Sequence, residues 1–228
     1  MERKRIYMIL VLCLQMITGL FAQETVIDSS YANSYYQKRQ AYYDQLPKVK
    51  NAIVFLGNSI TEAGQWYEIA QVPHIINRGI SGDVTYGILN RLSSVTALHP
   101  KKIFMTVGIN DVKRGIPPEY TVQNIERIIK RVRKESPKTK LLIQSVLPVR
   151  ESMFTDGYQR VTNQKVVLLN EQIKMLCQHY NVPFIDVHQA IFSDKEGRMK
   201  QELTTDGIHL RAEAYIQWID YLKTKKYL

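Results

Sequence analysis

The stretch Ile53-Val54-Phe55-Leu56-Gly57-Asn58-Ser59-Ile60-Thr61 constrains the fold more than any other: four large apolar residues in a row, then Gly-Asn-Ser. An apolar run without polar alternation reads as a strand buried on both faces, which requires a sheet covered by helices on both sides. Gly57 lets the backbone turn sharply at the strand's C-terminal end, so Ser59 is delivered to the sheet edge. In open α/β sheets that edge is where ligands bind. A serine there has two readings. It can cap a helix ahead of Thr61-Glu62, or it can act as a nucleophile.

The rest of the chain repeats the pattern of strand, turn and helix. Apolar runs at 51–57, 74–79, 102–107, 140–147 and 183–187 read as strands; stretches at 31–46, 62–71, 84–98, 121–135, 160–180 and 211–225 read as helices. Such alternation demands a parallel sheet with right-handed crossovers, hence an α/β fold around a five-stranded parallel sheet. The tyrosines of 31–46 predict an amphipathic helix packed on the outside of the domain, with a sugar-stacking surface as the alternative reading. At 228 residues and 45% hydrophobic content the chain can build one substantial core, and no Pro/Gly/Ser-rich linker divides it. One domain, 23–228, is expected.

Residues 1–22 differ in kind. Arg3-Lys4-Arg5 precede an apolar run from Ile6 to Leu20 that ends in Phe21-Ala22, the pattern of a cleaved secretory signal peptide. The run is shorter than the ~20 apolar residues of a membrane span and contains Gln15. Cys13 follows a leucine, so a lipid-modified cysteine is not expected. The mature protein would be secreted or periplasmic, without stable membrane association. Cys177 is then its only cysteine, which precludes an intrachain disulfide and reads as a small buried side chain. The formal charge of +10 falls to +8 with the signal removed, since that segment carries three cations and Glu2. The densest basic cluster, Lys130 to Lys134, lies late in a predicted helix, where cations suit the dipole, so a nucleic-acid partner is not expected.

The alternation also locates the chemistry, because every strand opens into a loop on the same sheet edge. Those loops are Gly57-Asn58-Ser59, Gly79-Ile80-Ser81-Gly82-Asp83 and Gly108-Ile109-Asn110-Asp111, with Thr205-Asp206-Gly207-Ile208-His209 before the last helix. A serine hydroxyl needs a base to take its proton, and Asp206-x-x-His209 can supply an imidazole oriented by a carboxylate within one turn. Of the five histidines, His188 is the rival base; its neighbour Asp186 should point to the opposite face of the strand. Three donors could receive the charge that develops on an attacked carbonyl: the backbone N–H groups of Ser59 and Gly82 and the side-chain amide of Asn110. Each also has a plain structural reading, as a turn glycine, an Asx-turn or a helix cap. Four successive loops carrying the right chemical types favour the catalytic one.

These segments resemble the sequence blocks of the SGNH hydrolases, the GDSL-like esterase superfamily. Gly108-Ile109-Asn110-Asp111 and Asp206-Gly207-Ile208-His209 match closely, and Asn77-Arg78-Gly79-Ile80-Ser81-Gly82-Asp83 is similar to the branch of platelet-activating-factor-type acetylhydrolases and bacterial acetylesterases. The resemblance runs from Ile53 to His209. It implies a three-layer, flavodoxin-like sandwich and ester hydrolysis without metal or cofactor. It also implies catalytic Ser59, Asp206 and His209, with an oxyanion hole from Ser59, Gly82 and Asn110. One position departs from the pattern: Asn58 stands where the family usually has aspartate. Asp111 is assigned a loop-bracing role.

The expected activity is that of an exported serine esterase acting on short acyl esters, acetyl above all, on carbohydrate. A lysophospholipase or thioesterase is the alternative within hydrolases, and a catalytically silent glycan-binding module the alternative outside them. The loops able to overhang the site, 113–119, 149–157 and 193–198, are charged and turn-forming. They lack the long apolar helix of a fatty-acyl lid. Arg114 or Arg150 is expected to be available to a carboxylate on the substrate. The partner is thus a small-molecule or oligosaccharide ester.

Overall fold

The computed structural model describes residues 30–228; the expected signal segment lies outside them. Five strands form one sheet: β1 (Ile53–Gly57), β2 (Ile75–Gly79), β3 (Lys102–Thr106), β4 (Lys140–Gln144) and β5 (Phe184–Ile185). All pairings are parallel and the order is β2-β1-β3-β4-β5, the doubly wound flavodoxin-like arrangement. Gly57 lies in register with Gly79 on one side and Thr106 on the other, so the first three strands end level at one edge.

The helices are α1 (Ser34–Gln45), α2 (Ser59–Ala63), α3 (Trp66–Ala70), α4 (Thr85–Thr96), α5 (Ile109–Arg114), α6 (Pro118–Glu135), α7 (Asn163–His179) and α8 (Ala212–Thr224). On one face of the sheet α4 packs on α6 and α6 on α7; on the other α3 packs on α8. Every residue of β1 is buried, as its unalternated apolar run requires. Beneath α3 and α8 the Phe55 ring stacks on Trp66 at 4.1 Å and on Phe104 at 5.0 Å, and Trp66 meets Trp218 edge-on at 5.2 Å. The Trp218 indole N–H donates to Gln144 Oε1 at 2.9 Å, so the aromatic layer leaves neither ring nitrogen unpaired: Trp66 donates to the Thr61 carbonyl. Cys177 is buried and free, its thiol pushed up to about 12 by burial, as a packing residue should be. Among the described residues no helix is long and apolar enough to cross a membrane.

Several boundaries differ from the sequence expectation. The helix expected at 62–71 is two short ones, α2 and α3, because the chain leaves helical geometry at Gly64 and Gln65. Helix α5, unforeseen, occupies the loop after β3. The strand expected at 140–147 leaves the ladder after Gln144, since β5 pairs only Phe184 and Ile185 before the chain enters a π turn at His188–Phe192. Two asparagines of α7 replace the missing partner strand. Asn170 bonds both the N–H and the carbonyl of Val146, and Asn163 does the same for Val149. Helix α1 forms inside the expected 31–46 and packs on the outside of the domain through Tyr36 and Tyr43, while Tyr35 and Tyr42 face solvent.

Candidate active site

Ser59 opens α2 directly beyond β1. A Cβ on Gly57 would lie 2.4 Å from the Thr106 carbonyl, so only glycine lets the chain turn this close to β3. Asn58 is buried, and its Oδ1 accepts the Ile60 N–H at 3.1 Å. That is the N-cap bond an aspartate would make, which accounts for asparagine at this position. The far side of the short helix is held by the Tyr215 hydroxyl, which donates to the Ile60 carbonyl at 2.8 Å. Ser59 therefore projects from a turn fixed at both ends.

The loop before α8 brings two groups to it. His209 Nε2 stands 3.1 Å from Ser59 Oγ, and His209 Nδ1 stands 2.6 Å from Asp206 Oδ2. The other carboxylate oxygen accepts the backbone N–H groups of Ile208 and His209 at 2.9 and 2.7 Å. Partial burial pushes the Asp206 carboxyl upward, but the bonds from the imidazole and these two N–H groups outweigh it and hold the group below the usual range. Asp206 is thus an ionised acceptor that fixes the ring with Nδ1 protonated and Nε2 free to accept. Ser59, Asp206 and His209 are each half-buried. His188 is placed elsewhere: it is buried, its Nδ1 lies 3.0 Å from the Val146 carbonyl, and burial lowers its basicity.

The donors expected for an oxyanion come from the next two loops. Gly82 has φ +79, a conformation that favours glycine. Asn110 Nδ2 donates to the Asp83 carbonyl at 2.9 Å, which uses one of the two amide hydrogens and orients the other. Asp83 is itself locked by a buried ion pair with Arg91, Nε to Oδ2 2.9 Å, and the same guanidinium donates to the Gly57 carbonyl at 3.1 Å. One arginine thus ties the end of β1 to the Gly82 loop. Asp111 accepts the backbone N–H and, at 2.5 Å, the hydroxyl of Thr85, bracing the first turn of α4 against α5. Burial raises both carboxyls, Asp83 to about 6 against the pull of Arg91, and Asp111 to about 7 against its bonds from Thr85.

Sequence reasoning missed Arg91, although a signal existed: it sits in line with the apolar residues Ile88, Leu92 and Val95 of one helix face. The expected availability of Arg150 is corrected. Its guanidinium pairs with Asp194 at 2.7 Å and donates to the Met199 carbonyl at 2.7 Å, with 13% of the side chain exposed. Arg114 donates to the Gly82 carbonyl at 3.0 Å, so it supports the loop as well as lining it. Among the described residues no group of three or more His, Cys, Asp or Glu side chains could hold a metal ion.

The chain is 26% identical over 170 residues to the human platelet-activating factor acetylhydrolase IB subunit alpha2, covering 72% of this chain and 70% of that one. It is 24% identical over 151 residues to an N-acylneuraminate cytidylyltransferase of Streptococcus agalactiae, covering 63% of this chain but only 34% of that longer one, so it spans about a third of that relative. A solved Streptococcus pneumonia chain, provisionally assigned as a platelet activating factor, superposes with a TM-score of 0.78 at 27% identity, covering 94% of this chain and 98% of that one. Residues 55–215 match the GDSL-like lipase/acylhydrolase family. That segment holds every loop described above, and the chain belongs to this family of hydrolases acting on esters.

Proposed function

We propose that the chain is an exported serine esterase that removes short acyl groups, acetyl above all, from hydroxyls of a carbohydrate. The observation that carries this reading is the continuous relay from Asp206 through His209 to Ser59, with steps of 2.6 and 3.1 Å. In the proposed reaction Ser59 Oγ attacks the ester carbonyl as His209 Nε2 takes its proton, and Asp206 stabilises the imidazolium. The negative charge on the carbonyl oxygen is received by the N–H groups of Ser59 and Gly82 and the second amide hydrogen of Asn110. His209 then protonates the departing alkoxide, leaving acyl-Ser59. Water activated by the same imidazole attacks the acyl group and restores the serine.

Short acyl groups are supported by the rim and by a relative. The 149–157 and 193–198 loops are drawn together by Asp194, which pairs with both Arg150 and Arg198. The clasp is built from charged side chains, and each methylene left unburied forfeits ~0.8 kcal/mol. The human relative is by name an acetylhydrolase. A second reading, lysophospholipase or thioesterase, is favoured by one feature: an apolar groove of about 240 Å³ lined by Val112, Ile116, Pro117, Leu168 and Leu169. Its lining includes neither Ser59 nor His209, which makes it a poor continuation of the acyl site.

The deciding measurement is kcat/KM for acetyl, butyryl, octanoyl and palmitoyl esters of one leaving group, followed by a panel of acetylated sugars. The proposal expects the acetyl ester to lead and activity to fall with chain length. A rise toward octanoyl or palmitoyl would transfer the function to the second reading. Binding of acetylated glycan without any turnover would make the chain a silent binding module.

A further inference from the structure

Helix α1 lies outside the segment that the family model matches, yet it grips each residue leading into Gly82. The Tyr43 hydroxyl donates to the Gly79 carbonyl at 2.6 Å. Ile80 is wholly buried in a small cluster of its own with Tyr36 and Tyr43. Ser81 donates its backbone N–H and its hydroxyl to Glu62 Oε2 at 2.7 and 2.6 Å. The other oxygen of Glu62 is held by α1, accepting the Tyr35 hydroxyl at 2.7 Å and facing the Arg39 guanidinium at 2.7 Å. Carbonyl, side chain and N–H of three consecutive residues are therefore fixed from one helix, directly or through a single carboxylate.

We propose that α1, acting through Tyr43 and the Glu62 carboxylate, is a positioning element for the Gly82 N–H of the oxyanion hole. The inference rests on the esterase reading above. Gly82 has no side chain to anchor it and holds a positive φ, so its N–H is aimed only by the residues on either side. Arg114 restrains the Gly82 carbonyl from the following side, and α1 supplies the restraint on the preceding one. Because the charge to be met exists only in the transition state, loosening this restraint should lower kcat and leave KM nearly unchanged. Tyr35, Arg39, Tyr43 and Glu62 are positioning residues, not catalytic ones.

The test compares steady-state kinetics on an acetyl ester with thermal stability. Tyr43→Phe and Glu62→Ala should each lower kcat roughly tenfold with KM held within about twofold, and slow organophosphate labelling in parallel. Glu62→Gln, which retains an acceptor for the Ser81 N–H, should recover most of the loss. Tyr36→Phe is the stability control. It removes a buried hydroxyl of the same helix that donates to the Gly87 carbonyl, so it should lose comparable Tm while keeping kcat. If Tyr43→Phe does not fold, Arg39→Ala, at a side chain 30% exposed, carries the same expectation. Unchanged kcat in these variants, a change confined to KM, or an equal kcat loss in Tyr36→Phe would reduce α1 to a mere cover over Ile80. Should Ser59→Ala keep wild-type turnover, the esterase reading fails first and takes this inference with it; retained Ser59 dependence with intact kcat in the α1 variants overturns the positioning role alone.

Discussion

Asn110 has two amide hydrogens, and the Asp83 carbonyl takes one. On the proposed mechanism the other meets charge present only in the transition state, so Asn110→Ala should cost about 10²–10³ in kcat with little effect on KM. A change in KM alone would move Asn110 to ground-state binding. The two histidines separate by the same logic. His209→Ala should abolish turnover and spare folding, whereas His188→Ala should keep kcat and lower stability by about 1–3 kcal/mol, because it removes a buried group bonded to Val146. The opposite pattern in kinetics and thermal melts would exchange their roles. Ser59 was legible in the sequence because it stands at a strand end, where an α/β sheet collects its ligand-binding groups, and Asp206 and His209 because a carboxylate stands three residues before an imidazole in the loop ahead of α8. The Asp83–Arg91 pair was not. Charged residues are almost never fully buried unless paired, and the pairing depends on α4 folding back over the end of β1.

Between α4, α5 and α6 the brace is Asp111, together with Asn124 of α6, which donates to the Thr85 hydroxyl at 3.1 Å. Burial raises the Asp111 carboxyl from 3.8 to about 7. Between those values the folded chain holds a proton that the unfolded chain has released, so stability is greatest below the lower value and declines as pH rises through the upper one. Wild-type protein should lose about 1.4 kcal/mol per pH unit over that window from this group. Asp111→Asn should remove that contribution and leave one of the same sign from Asp83, confined to the narrower window between 3.8 and about 6. Urea melts at a series of pH values check this; identical slopes in the two proteins would contradict it. The long elements α4, α6, α7 and α8 were foreseen within a few residues, since apolar periodicity accumulates over several turns. The short ones were not. Helix α5 is six residues and follows a glycine with φ +132, too brief for a periodic signal. The strand β4 was overrun because Val146, Leu147 and Val149 are buried by α7 without being paired in the sheet.

Across the whole molecule the parallel sheet brings together loops far apart in sequence: Ser59 and His209 are 150 positions apart yet within hydrogen-bonding reach. On the proposed mechanism no single segment could do this, because carboxylate, imidazole and serine must be aligned to a fraction of an ångström while the proposed oxyanion donors come from two further loops. Helix α1 lies outside the family segment; its tyrosine spacing made a packed helix legible, whereas the bond from the Tyr43 hydroxyl to the Gly79 carbonyl was not, because it depends on where β2 ends. The central claim is that Ser59 is the nucleophile of this assembly. It is tested most directly by treating the folded protein with a fluorophosphate ester and recording its intact mass, its peptide map and its residual turnover. A single phosphoryl adduct on the Ser59 peptide, loss of turnover in step with labelling, and no adduct on a folded Ser59→Ala variant are predicted. Label on another serine, or undiminished turnover in Ser59→Ala, would contradict the account.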